Sequence, residues 1–211
     1  LTVNESRIVE LKAQLTDGRL EEYARLYMPG SGNLQGIMNG WIIVSQPRAR
    51  PMNGHGELLI SPAAIYELPV MAQVFKSINS VFNSVPPDKT AFNYAYLNYA
   101  MDEEKFQFDR IDLVGDAVSF RGHGTARLDG QLGLTFYSRL PRSRLLPRAI
   151  GNILGDATQG WMAVEVTGKT SAPQARYVAA PVLNDSLNRL LKAFDPSQPV
   201  PGLRVPQFFP P

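Results

Sequence analysis

From Val118 to Leu128 the side chains change character at every step. Val118, Phe120, Gly122, Gly124, Ala126 and Leu128 fall on one side, and Ser119, Arg121, His123, Thr125 and Arg127 on the other. A period of two belongs to a strand with one face in a core and one in water, and a helix cannot satisfy it. The neighbouring segments follow the same rule. Ala91 to Met101 reads as a strand, Asp102-Glu103-Glu104 as its turn, and Lys105 to Val114 as the partner strand. Phe106 and Phe108 share a face, whereas Ile111 and Leu113 are one residue out of phase, which a bulge near Asp109-Arg110 corrects. After Leu128, Asp129-Gly130 invites a two-residue hairpin loop. That loop would set Leu132 against Arg127. A three-residue loop pairs Leu128 with Leu132 and Ala126 with Leu134, so burial favours the longer connection.

The rest of the chain divides into short elements. Ile8 to Leu15 alternates as a strand, Thr16-Asp17-Gly18 turns, and Asp17 is placed to cap a short helix with Leu20, Tyr23, Ala24 and Tyr27 at helical spacing. Strands are expected over Leu34 to Ser45 and His55 to Ile60. Pro62 and Pro69 bracket a turn into a helix from about Val70 to Val81. Leu140 to Leu154 carries Leu146, Ile150, Ile153 and Leu154 on a short helix. Trp161 to Gly168 and Ala175 to Ala179 read as strands, and Val182 to Phe194 as an amphipathic helix. Asp195 to Pro211 has six prolines in seventeen residues and is expected to be extended, as a tail or a strap across the surface. Gly54-His55-Gly56 and Gly122-His123-Gly124 echo one another at strand starts. Residues 1–194 are therefore read as one unit or as two strand-strand-helix halves, about 1–85 and 86–194, with 195–211 as a tail. The fold class is α+β and mainly β, with eight or nine antiparallel strands and four short helices.

Composition narrows the function. The chain has 211 residues, 44% of them apolar and 19% charged, enough for a substantial core. A net charge of +2 is too small for phosphate-driven nucleic-acid binding. With no cysteine, disulfides, zinc-thiolate sites and thiol catalysis are excluded. No apolar run approaches the ~20 residues that span a bilayer. Leu1 is followed by no signal-peptide pattern, so the chain reads as a fragment or processed form with any anchor outside it.

The order of features from Ala91 to Asp129 resembles the C-terminal region of AsmA-like proteins. The segments that carry it are Thr90 to Leu97, Phe106 to Gly115, and Ala117 to Thr125 followed by an Asp-Gly turn. Leu15 to Leu20, Gly54 to Pro69 and Gly160 to Pro173 match the same style, so the resemblance covers roughly residues 7–178. It implies a long curved sheet shaped like a gutter, apolar inside and polar outside. Such a protein is anchored at the inner membrane by an N-terminal helix, lies in the periplasm, and takes part in moving phospholipid and in outer-membrane homeostasis. This chain lacks the anchor, is short, and ends in a proline-rich tail. Eight or nine strands at ~4.8 Å make a sheet only about 40 Å across, one segment of anything that bridges a periplasm.

The candidate lipid-binding face comprises Phe92, Tyr94, Tyr96, Phe106, Phe108, Val118, Phe120, Leu132, Leu134 and Phe136. A lipid tail requires a continuous surface free of unpaired polar groups, each of which costs several kcal/mol there. The competing reading is a core sealed by the helices. Arg139, Arg142, Arg144 and Arg148 are candidates for lipid headgroups or a membrane surface at about 1 kcal/mol each, or else solvated loop charges. His55 and His123 have no ligand company at metal spacing. Asp109, Asp112 and Asp116 lack a base or nucleophile set. No catalytic residue, cofactor or metal is expected. The expected function is binding or passing on phospholipid. The alternative is an envelope domain that meets a protein partner, or another copy of itself, through a sheet edge.

Overall fold

The computed structural model describes residues 9–28, 33–46, 51–82, 92–116, 118–139, 161–178 and 200–206, together with Arg189, Leu191, Phe194 and Ser197. Nine strands follow one another in chain order as β1 (Val9–Arg19), β2 (Gln35–Gln46), β3 (Asn53–Ala64), β4 (Tyr94–Asp102), β5 (Lys105–Val114), β6 (Ser119–Arg127), β7 (Gln131–Arg139), β8 (Trp161–Lys169) and β9 (Ala172–Val178). Each pairs antiparallel with the next, giving one open, curled sheet in the order β1 to β9. Two helices accompany it among the described residues: α1 (Leu20–Tyr27) after β1 and α2 (Pro69–Phe82) between β3 and β4. Four had been expected. The one at 146–154 lies outside the described residues. Of 182–194 only Arg189, Leu191 and Phe194 are described, the first two in helical conformation. β3 pairs with β4 from Asn53 to Ile60, so the stretches on either side of residue 85 share one sheet.

The expected bulge is present. Phe108 pairs with Gly124 and Ile111 with Gly122, leaving Asp109 and Arg110 opposite the single His123. It restores Phe106, Phe108, Ile111 and Leu113 to one face. The β6–β7 loop has the expected three residues but a different register. Ala126 pairs with Leu132 and Gly124 with Leu134, so Leu128, Asp129 and Gly130 form the loop and Leu128 is exposed. A shift of two residues keeps the faces in phase. Gly130, at φ +88, supplies the left-handed residue that closes a three-residue hairpin.

Two sequence expectations near the N-terminus need correction. Thr16-Asp17-Gly18 does not end β1. It forms an irregularity inside it, with Asp17 at φ +53 and its N–H donating to Asn39 Oδ1 at 3.0 Å. Arg19 therefore occupies the N-cap position of α1 and makes no side-chain cap, so Asp17 is not the cap. β3 also runs past Pro62. Pro62 falls where the β2–β3 register is irregular, so its missing N–H breaks no ladder bond.

α2 packs against β8 and β9. Its Met71, Val74, Phe75 and Ile78 belong to one buried cluster with Leu20 and Leu34 near the β1–β2 end, and with Phe92, Phe120, Val164 and Val166. One helix can join elements so far apart in strand order because the sheet curls around it. The α2 side is thus the concave face. Close approach at the curl limits side-chain size on that face. A Cβ on Gly124, at φ +141, would meet Leu134 Cα at 2.7 Å and the Gly133 carbonyl. Gly124→Ala is therefore expected to destabilise the chain by about 1–3 kcal/mol. Gly202→Ala, with nothing within 4 Å, is expected to leave stability unchanged. Urea unfolding of the two variants beside the parent measures the difference.

Candidate functional site

The pairings place four rungs of side chains across the concave face. At the end nearest α2 the rung runs Met38, Ile60, Ala95, Leu113, Phe120, Ser138 and Met162. The second runs Leu15, Gly40, Leu58, Leu97, Ile111, Gly122, Phe136, Val164 and Tyr177. The third runs Ala13, Ile42, Gly56, Tyr99, Phe108, Gly124, Leu134, Val166 and Ala175. The fourth runs Leu11, Val44, Gly54, Met101, Phe106, Ala126, Leu132, Gly168 and Pro173. No charged residue stands in any of them. Among the described side chains, charges stand instead on the convex face, on every strand except β2 and β7.

Burial falls off along this face. In the first rung Ile60, Ala95, Leu113, Phe120 and Met162 are all buried, beneath α2. In the fourth, Met101 is still buried, while Phe106, Ala126 and Leu132 are half-buried. Leu58, Leu97, Tyr99 and Phe108 in the middle rungs are half-buried as well. Towards the β1 edge Leu15 is 42% exposed and Leu11 59%. The described residues thus form an uncharged trough. It is closed by α2 at one end of the strands and open at the other, where the β2–β3, β4–β5, β6–β7 and β8–β9 connections lie. Tyr99, Phe106 and Phe108 line the open part with ring centroids 6.0–6.5 Å apart. Burial pushes the phenols of Tyr99 and Tyr177 above the usual range, so both stay neutral.

The ten expected lipid-facing residues do not all share this face. Phe92, Phe120, Leu134 and Phe136 are buried in the α2 cluster, and Phe75 of α2 stacks on Phe92 at 6.0 Å. They are core. Phe108, Val118 and Leu132 are half-buried against that cluster, and Phe106 lies on the open rung. Tyr94 and Tyr96 point to the opposite face, because Tyr96 pairs with Leu59 and Asp112. Asn93 forms a bend between Phe92 and β4, which interrupts the alternation expected from Phe92 to Tyr96. Leu58, Leu97, Tyr99 and Met101 were missed as lining. They are visible only once the β3–β4 and β4–β5 registers are known. Of the four arginines, Arg139 ends β7 opposite Trp161, while Arg142, Arg144 and Arg148 lie outside the described residues.

The convex face has its own cover. Leu191, Phe194 and Leu203 pack with Leu59, Tyr94, Tyr96, Val114, Tyr137 and Ala163. The proline-rich segment is therefore a strap over residues 201–206. Two buried acids sit in this layer. Glu57 accepts from Tyr96 OH (3.0 Å), Trp41 Nε1 (3.4 Å) and Asn98 Nδ2 (3.5 Å), and from the Arg204 backbone N–H of the strap (2.9 Å). Asp112 accepts from Arg121 Nε at 2.6 Å and Nη2 at 2.7 Å, and from Arg110 Nε at 2.7 Å. The Arg121 guanidinium lies 4.7 Å over the Phe194 ring. Of the expected carboxylate group, Asp109 is exposed in the bulge and Asp116 accepts from Asn93. The two histidines occupy equivalent settings. His55 meets Trp41 edge-on at 5.4 Å and His123 stacks on Tyr137 at 5.8 Å, both on the convex side.

No family model matches the chain, and no curated protein or solved structure matches it.

Removing one partner of a buried ion pair leaves an uncompensated charge. Arg121→Met is therefore expected to cost about 3–5 kcal/mol in urea unfolding. Alkaline pH tests the same layer. Burial, then the hydrogen bond to Glu57, pushes the Tyr96 phenol up to about 12. An unfolded tyrosine ionises near pH 10. The folded state thus keeps a proton that the unfolded state gives up, so stability is full below pH 10 and falls between 10 and 12. Urea midpoints across pH 8–11 are expected to show this fall, and Tyr96→Phe, which cannot ionise, is expected to lessen it.

Proposed function

We propose that the chain holds or passes on phospholipid, with acyl chains lying along the concave trough. The observation that carries this reading is the four-rung face without a charged side chain, half-buried where α2 no longer covers it. Acyl chains need a dry, continuous surface, and any unpaired polar group along it would cost several kcal/mol. Ligand sites of this type are apolar, concave and largely pre-formed. Transfer of an intact lipid makes and breaks no covalent bond, so this reading is non-enzymatic and needs no cofactor.

The resemblance to AsmA-like proteins adds the setting. In that reading the chain is one segment of a larger periplasmic protein, anchored to the inner membrane by a segment outside this sequence and serving outer-membrane homeostasis. Arg139 at the end of β7, with Arg142, Arg144 and Arg148 between β7 and β8, are the residues proposed to meet headgroups. A second reading, an envelope domain that binds a protein through a sheet edge without lipid, is favoured by the exposure of Glu10 to Asp17 on the edge strand β1.

The open rung separates binding from folding. Leu132→Glu and Phe106→Glu place a charge at half-buried positions, whereas Phe120→Asp places one in the sealed core. Native mass spectrometry of the purified chain is expected to show co-purifying phospholipid. The two open-rung variants are expected to keep the parent's circular dichroism and lose the lipid, while Phe120→Asp unfolds. A folded, lipid-free parent that also fails to take up phospholipid from vesicles would overturn the proposal.

A further inference from the structure

Among the described residues, the uncharged trough carries one hydrogen-bonding side chain that the fold leaves unpaired. In its second, third and fourth rungs only Tyr99 and Tyr177 have a polar side-chain group. Tyr177 already has a partner. Tyr99, on β4, stands in the third rung between Gly56 and Phe108, and its ring meets those of Phe106 and Phe108. Its hydroxyl reaches across to β3, where an added Cβ on Gly56 would meet it at 2.7 Å. Glycine at 56 thus leaves the room in which the phenol lies. Every buried side-chain oxygen or nitrogen among the described residues has a hydrogen-bond partner. The Tyr99 hydroxyl has none among them, so it is accessible rather than sealed.

We propose that the Tyr99 hydroxyl donates a hydrogen bond to an acyl-ester carbonyl of the bound phospholipid and so selects ester-linked lipid. The inference rests on the lipid reading and deepens it by naming the bond that is recognised. Two constraints set the depth at which the lipid sits. α2 seals one end of the strands with Met71, Val74, Phe75 and Ile78, so a headgroup seated there would be buried without partners. The tails therefore point towards α2 and the headgroup stays at the open end. Arg139 ends β7 at the α2 end, so the headgroups it meets are those of a membrane surface, not that of the held lipid. Tyr99 lies one rung inside the last, about 7 Å along the strand. In a phospholipid the ester carbonyls lie between the phosphate and the tails, which is the level of this donor. A free fatty-acid carboxylate would instead bring a charge onto a face with no cation to meet it. Apolar sites take their orientation and specificity from a few placed polar groups of this kind.

Vesicles holding equal amounts of a diester phosphatidylethanolamine and its diether counterpart, matched in chain length, test the bond. Native mass spectrometry of the chain after incubation separates the two lipids by mass. The parent is expected to carry the diester in about 3–10-fold excess, the effect of one neutral hydrogen bond. Tyr99→Phe keeps the ring and loses the donor, so the excess is expected to vanish. Because the hydroxyl has no partner in the described fold, this variant is also expected to keep the parent's urea midpoint. A parent that takes up both lipids equally, or a Tyr99→Phe variant that keeps the excess, overturns the role of Tyr99 and leaves the trough reading standing. A variant that keeps the diester excess but loses binding of added oleate assigns the hydroxyl to a free carboxylate and overturns the ester. A parent that takes up neither phospholipid overturns the lipid reading together with this inference.

Discussion

Everything in this structure depends on the register of eight successive antiparallel pairings. A strand presents alternate residues to alternate faces, and one residue of slip exchanges the faces. Across β1 to β9 the register brings uncharged residues into line on one side and the charged ones to the other. Two irregular points make that alignment possible. The bulge at Asp109-Arg110 returns Ile111 and Leu113 to the concave side, and the irregularity at Asp17 returns Gly18 to it. Without the bulge the rungs would be broken by Arg110 and Asp112, which now stand with Arg121 on the convex side.

The two faces then solve different problems. On the concave side α2 fills one end and leaves the other half-covered, so a single surface serves as core and as trough. Phe120 and Phe108 lie on the same face, yet one is sealed and the other is not. On the convex side the buried acids are satisfied, Glu57 by neutral donors and Asp112 by guanidiniums, and the strap supplies one of the donors to Glu57. Buried carboxylates persist only where their lone pairs are occupied. The strap is therefore part of the folded unit rather than an appendage, and the convex face is less solvated than a simple inside–outside pattern implies.

Much of the fold was legible in the sequence, because strand periodicity is a local property. The alternation from Val118 to Leu128 locates β6, the phase break at Asp109-Arg110 locates the bulge, and the apolar stripe of Val74, Phe75 and Ile78 locates α2. The site was legible only in part. Tyr94 and Tyr96 look like better lining than Ala95 and Leu97, but their direction is set by the bend at Asn93 and by pairing with β3, neither of which is a local property. Asp17 looked like a helix cap because Thr16-Asp17-Gly18 reads equally as a turn or as an irregularity in a strand. The Glu57 layer depends on a backbone N–H of Arg204, far along the chain, and no spacing rule reveals such a contact.

Among the described residues the concave face is a trough, closed by α2 at one end and half-covered at the other. A crystal structure of the chain grown with a phospholipid brominated along its acyl chains tests this most directly. Anomalous bromine peaks are expected in a line over Leu58, Tyr99, Phe108 and Leu132. Peaks confined to the convex side, or those four side chains packed against the chain's own atoms with no space between, would contradict it.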